Sequence, residues 1–167
     1  MLPDIKKILY TTDMSDNARY AFGYATSLAN RYGAGISVLH VVEDASSFRD
    51  SMVSSVLGEG KWKELLKSNE DKIIAAIREG IEKFCEDTKA ELPACPFIVD
   101  DIAVKIGNPV ELILTHIKKT QSDLVVMGAH GHGTLADKLI GSTSRRVLRR
   151  CQQPILLVRI PEEADDS

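Results

Sequence analysis

Residues 128–146 read GAHGHGTLADKLIGSTSRR, with glycines at 128, 131, 133 and 141 and hydroxyls at 142, 143 and 144. They follow DLVVM (residues 123–127), an apolar run that reads as a buried strand. Glycine costs backbone entropy, so repeated glycines between a strand and a helix imply that something approaches the backbone closely. A helix N-terminus offers unpaired N–H groups and the positive end of a dipole, and Gly141-Ser142-Thr143 stands where the last helix should begin. The chemistry this suits is a phosphate cradle. Gly141 would let an anion come near, and the hydroxyls of Ser142 and Thr143 would donate to it. A loop whose glycines only make turns would leave the same trace in sequence. The pattern is not GxxxxGK[ST], because no lysine precedes Ser142, and no GxGxxG follows the first strand.

Other residues belong to the same argument. Asp13 lies just past the first apolar run, KILYTT (residues 7–12). In a sheet of order 3-2-1-4-5, strands one and four are neighbours and the chain reverses direction of growth between them, where ligands bind. Asp13 would then stand across from Gly128. Its carboxylate suits ribose hydroxyls or a base amino group, and it equally suits a helix cap. Val41 and Val42 end the second apolar run and would wall a base, or simply pack the core. His130-Gly131-His132 invites a metal, yet only Asp137 is near enough in sequence to complete a set of ligands. Arg145, Arg146, Arg149 and Arg150 make one helix end basic, which reads as a solvated face with cations near a helix C-terminus.

The elements that must position these residues follow from periodicity and punctuation. Strands are expected at 7–12, 36–42, 96–107, 123–127 and 154–160. Helices are expected from Ser15 or Asp16 to Arg31, from Trp62 to Leu92, from Pro109 to Lys119 and from Ser142 to Cys151. Gly33 suits the left-handed position that ends a helix, and Asn108-Pro109 is a cap followed by a proline in the first helical position. Strands alternating with helices imply a parallel sheet covered on both faces. Residues 43–61 read as a variable connection, and 161–167 as an acidic, disordered tail to a single domain, 1–160.

The bulk numbers bound the function. At 167 residues with 44% apolar and 27% charged residues, the chain is one globular domain by expectation. A net charge of −3 gives no general attraction to nucleic acid or acidic lipid. No apolar run reaches the ~18 residues of a membrane span, and Asp4 with two lysines interrupts any leader-like start. Three scattered cysteines without CxxC argue against a disulfide framework. A cytoplasmic protein is expected.

The spacing Gly128-x2-Gly131-x9-Gly141-Ser142 resembles the glycine signature of the ATP-binding class of universal stress proteins. DLVVMGAHG, LIGSTSRRVLRRCQQPILLVRI, KILYTTDMSDNARYAFGYATSLA and ISVLHVVE resemble that family's flanking segments, so the likeness spans about residues 3–160 except 45–61. The resemblance implies an open, Rossmann-like α/β sheet of five parallel strands in the order 3-2-1-4-5, helices on both faces. It implies ATP, with AMP and ADP left open, and magnesium held through the phosphates. Asp13, Val41 and Val42 would surround the adenosine, and Met127 and Gly128 would line it. His130 and Gly131 would lie near ribose or phosphates, and Gly141, Ser142 and Thr143 would hold the triphosphate. It further implies a regulatory homodimer paired through Pro154–Ile160, active in stress response, without efficient catalysis; slow ATP hydrolysis or phosphotransfer in the same pocket is the alternative. Histidine at 130 departs from the arginine or serine of many relatives. A neutral imidazole holds phosphate less firmly than arginine, and a protonated one would hold it better, so affinity would rise as pH falls from about 8 to 6.

Overall fold

Apolar side chains on both faces put a strand in the middle of a covered sheet, and KILYTT is such a strand. In a computed structural model, which describes residues 1–43, 58–130 and 139–161 (and not the side chains at 59, 61–63, 65 and 66), β1 (Lys7–Thr12) is central. Ile8 and Tyr10 face one side and Leu9 the other. Around it lie α1 (Asp16–Tyr32), β2 (Gly35–Glu43), α2 (Glu59–Glu91), β3 (Ile98–Gly107), α3 (Pro109–Thr120), β4 (Leu124–Gly128), α4 (Ser142–Arg150) and β5 (Ile155–Val158). All neighbouring strands are parallel, in the order β3-β2-β1-β4-β5. The expected connection and acidic tail fall largely outside the described residues.

Alternation sorts the core into two layers. Ile8, Tyr10, Ile36, Val38 and Val126 meet Phe22 and Ala25 of α1 and Ile81 of α2 on one face. Leu9, Leu39, Val125 and Met127 meet Val110, Ile113 and Ile117 of α3 and Val147 of α4 on the other. Phe22 is the node of the first layer, with ring centroids 4.8 Å from Tyr10, 5.1 Å from Phe84 and 5.6 Å from Phe97. Cys85 is buried there, and burial pushes its thiol up to about 11, too high for appreciable thiolate at neutral pH. In the second layer His116 is 3% exposed, and neither ring nitrogen has a partner among the described residues. Burial, and then the Lys105 ammonium, hold it below the ordinary imidazole range. No described helix is long and apolar enough to cross a membrane.

The punctuation residues act as their chemistry requires. Ser15 caps α1, its hydroxyl accepting from the Ala18 N–H, and Gly33 ends that helix at φ 64°. Asn108 caps α3, accepting from the Glu111 N–H. Two strands differ from the sequence expectation. β3 starts at Ile98, two residues late, and bulges: Ile36 pairs with Val99, but Ser37 pairs with Asp101. The skipped Asp100 folds its carboxylate over Gly35, where a Cβ would stand 1.8 Å from Oδ2. β5 is also shorter than 154–160. Pro154 has no N–H to give to a ladder, and the Ile160 N–H goes to Asn17 Oδ1 at 2.9 Å, away from the sheet.

Candidate functional site

The strand order reverses at β1, whose neighbours β2 and β4 leave a crevice at their carboxyl ends. A cleft of about 470 Å³ opens there, within the range of small-ligand sites. It is lined by Thr11, Thr12 and Asp13 at the end of β1, Leu39 to Glu43 at the end of β2, Pro109 and Ile113 of α3, Met127, Gly128 and His130 at the end of β4, and Gly141 to Ser144 at the start of α4. Asp13, Val41, Val42, Met127, Gly128, His130, Gly141, Ser142 and Thr143 are thus brought together from four separate segments. Gly131, like His132 and Asp137, lies outside the described residues.

Each wall has a local cause. The turn Thr12–Ser15 is held by its own side chains: Thr12 Oγ1 accepts from the Met14 N–H (3.0 Å) and Asp13 Oδ1 from the Ser15 N–H (3.0 Å). Met14 sits at φ 65°, an uncommon conformation for a non-glycine residue. The helix-cap role open to Asp13 from sequence belongs to Ser15, and Asp13 stays on the cleft wall. Val41 packs with the α3–α4 layer and Val42 with the opposite one. Val41 therefore shares the apolar wall with Leu39, Ile113 and Met127, all of that same layer.

At the other end, α4 starts at Gly141 with no side-chain cap and no acid in its first turn. The first intrahelical bond is Arg145 N–H to Gly141 O, 2.9 Å, so the N–H groups of Ser142, Thr143 and Ser144 have no intrahelical acceptor. Two groups named by the sequence pattern are otherwise engaged. The Gly141 N–H donates to Ala129 O (2.7 Å), and Ser144 Oγ donates to Gly128 O (2.9 Å). They staple the two ends of the glycine stretch together, and Ser142 and Thr143 line the cleft beside them. Gly141 itself has φ −57°, open to any residue. Gly128 is required for another reason: a Cβ there would stand 2.4 Å from Asn17 Nδ2.

Sequence reasoning passed over Thr11, Thr12, His40, Glu43 and Pro109. Their signal was position: all stand at the carboxyl ends of strands or directly after one. His40 Nδ1 donates to Thr12 O at 2.7 Å, since a carbonyl can only accept, and so ties β2 to β1 at the cleft floor. Among the described residues no three His, Cys, Asp or Glu side chains converge on a metal position. The basic end of α4 is exposed, and Arg150 pairs with Glu111 of α3, which holds the Glu111 carboxyl below its usual range.

The model of the universal stress protein family matches residues 4–159. The chain belongs to the universal stress protein family. Universal stress protein MJ0577 of Methanocaldococcus jannaschii is 29% identical over 154 residues, covering 92% of this chain and 94% of that one. A Thermus aquaticus universal stress protein is 30% identical over 155 residues, covering 92% and 98%. Among solved structures, that of MJ0577 superposes with a TM-score of 0.69 at 27% identity, covering 96% of this chain and 99% of that one. A universal stress protein in complex with cAMP shares the fold, with a TM-score of 0.58 at 20% identity over 93% and 98% of the two chains. The family's five-stranded parallel sheet in the order 3-2-1-4-5 is the one described above.

Proposed function

We propose that this universal stress protein binds ATP in the cleft between β1 and β4 and acts as a regulatory nucleotide-binding protein in stress response. The observation that carries the reading is the cleft's polarity. One end has a carboxylate, Asp13, beside an apolar wall of Val41 and Met127, suited to an adenosine; the other is an uncapped helix start with Ser142 and Thr143, suited to phosphates. Gly128, Gly131 and His130 would border the nucleotide between them, and magnesium accompanying ATP would be held by phosphates and water. The cAMP complex of a protein with this fold supports an adenine nucleotide as the ligand class, with AMP and ADP as competitors.

Efficient catalysis is not part of the proposal. Phosphoryl transfer needs charge neutralisation and a positioned nucleophile, and among the described lining residues there is no lysine or arginine. A cytoplasmic homodimer paired through β5 completes the reading. β5 is the last strand in the sheet order, and Ile155, Leu156 and Leu157 are only partly buried; an apolar edge strand is an aggregation hazard unless covered, and a two-fold axis would cover it.

Freshly purified protein should release an adenine nucleotide on denaturation, identified by mass spectrometry. Calorimetry on the stripped protein should show ATP binding that Asp13→Ala weakens by about tenfold or more, the loss of one or two good polar contacts, and that Gly141→Val weakens by placing a branched side chain in the cleft at the helix start. No nucleotide and no heat with ATP, ADP or AMP would remove the proposal. Sustained phosphate release at many turnovers per minute, lost in Gly141→Val, would make the protein a hydrolase instead.

A further inference from the structure

We infer that Asn17 is a positioning residue that couples the nucleotide cleft to the end of β5. The inference rests on the nucleotide reading above and adds a route by which occupancy of the cleft reaches the sheet edge. Asn17 lies in the first turn of α1, is 8% exposed and is not among the residues lining the cleft. Its carboxamide is nonetheless spent on three backbone groups far away in sequence. Nδ2 donates to His130 O (3.2 Å) and Val158 O (3.1 Å), and Oδ1 accepts from the Ile160 N–H (2.9 Å). Two carbonyls on one side and one N–H on the other leave only this orientation of the amide.

The consequence is mechanical. An amide group is planar and rigid, so a shift of the His130 carbonyl that carries Nδ2 with it also turns the oxygen that holds Ile160. His130 lines the cleft, one residue before the undescribed part of the glycine stretch. Ile160 lies just beyond β5 and is 43% exposed. The joint is packed tightly: the place of a Gly128 Cβ is taken by Nδ2, and Val158 O also receives the Ala129 N–H at 2.8 Å. One side chain therefore joins the chain leaving β4, which would meet the phosphates, to the chain leaving β5, which lies at the sheet edge. A ligand that fixes Gly128–His130 fixes the carboxamide, and the carboxamide fixes Ile160.

The test is amide hydrogen exchange at Ile160, read by NMR with and without magnesium–ATP, in wild type, Asn17→Leu and Asn17→Asp. In wild type, ATP should slow exchange at Ile160 at least threefold. In Asn17→Leu, ATP affinity by calorimetry should fall about tenfold, and exchange at Ile160 should no longer respond to ATP. If the leucine variant does not fold, Asn17→Asp serves. It keeps an acceptor for Ile160 but loses the donor to His130, so Ile160 should stay protected and be insensitive to ATP. A residue that merely stabilises the fold would lower stability while leaving the ATP response of Ile160 intact, and that result overturns the inference. Wild type that binds ATP with no change at Ile160 overturns it alone, whereas wild type that takes up no ATP overturns both it and the nucleotide reading.

Discussion

Replacing Gly128 by alanine should destabilise the protein even though the usual effect of that change is the opposite. Gly128 does not have positive φ, so alanine suits the backbone and by itself would add about 0.4–1 kcal/mol by restricting the unfolded chain. Against this, the new Cβ would lie 2.4 Å from Asn17 Nδ2 and 3.2 Å from His130 O. Asn17 is buried and must leave its place, giving up bonds to His130, Val158 and Ile160. A buried polar group left unpaired costs about 1–3 kcal/mol. Partial re-pairing leaves about 2–4 kcal/mol, and subtracting the backbone gain leaves about 1–3 kcal/mol net. At ~2–4 °C per kcal/mol for a chain of this size, Tm should fall by about 2–12 °C. The assay is urea and thermal unfolding of Gly128→Ala, Asn17→Ala and the double variant. With Asn17 already cut back the nearest obstacle is gone and only the 3.2 Å approach to His130 O remains, so Gly128→Ala should cost much less in that background than in wild type. The two substitutions should then show a coupling of about 1–3 kcal/mol. Equal destabilisation in both backgrounds, or a wild type stabilised by Gly128→Ala, would refute the reasoning.

Three further outcomes are expected. His116 has a folded-state pKa below its unfolded value because of burial, so its contribution to stability is complete above the unfolded value of about 6.5 and is lost as pH falls below it; urea unfolding between pH 5 and 8 should show that loss, and His116→Leu should flatten the profile and raise stability by about 1 kcal/mol by removing a buried polar ring that has no partner among the described residues. Ser144→Ala should cost about 1 kcal/mol in urea unfolding, since Gly128 O loses its hydroxyl partner; no change would mean that the staple at the base of the glycine stretch contributes nothing. Phe22→Ala, which empties the aromatic node, should cost about 3–5 kcal/mol, measured as a drop in the urea midpoint with the slope unchanged.

Much of the fold was legible because its signals are local. Apolar runs, Ser15, Gly33 and Asn108-Pro109 mark where strands and helices start and stop, and those signals act within a few residues. The exceptions are places where a distant partner intervenes. Asp100 is skipped in the register and lies over Gly35, and β5 ends with its partner strand at Gly128, beyond which Asn17 takes the Ile160 N–H. The cleft was half legible. Asp13, Met127, Gly128 and Gly141–Thr143 stood out by type and spacing, whereas Thr12, His40 and Pro109 are ordinary residues that matter only by where their strands and helices end.

Sequence alone determined the class of fold, since alternating strand and helix patterns with buried two-faced strands admit few arrangements. It also determined the family and marked the glycine- and hydroxyl-rich stretch 128–144 as the candidate site. Tertiary structure decided which backbone and hydroxyl groups at the two ends of that stretch are already engaged. Hydrogen-bond partners are assigned by proximity in space: the Gly141 N–H and the Ser144 hydroxyl look available in a row of letters, yet both are spent on the backbone of Ala129 and Gly128. Tertiary structure likewise made an unremarked asparagine the joint between the cleft and the sheet edge, because only folding brings residues 17, 130, 158 and 160 within reach of one amide group.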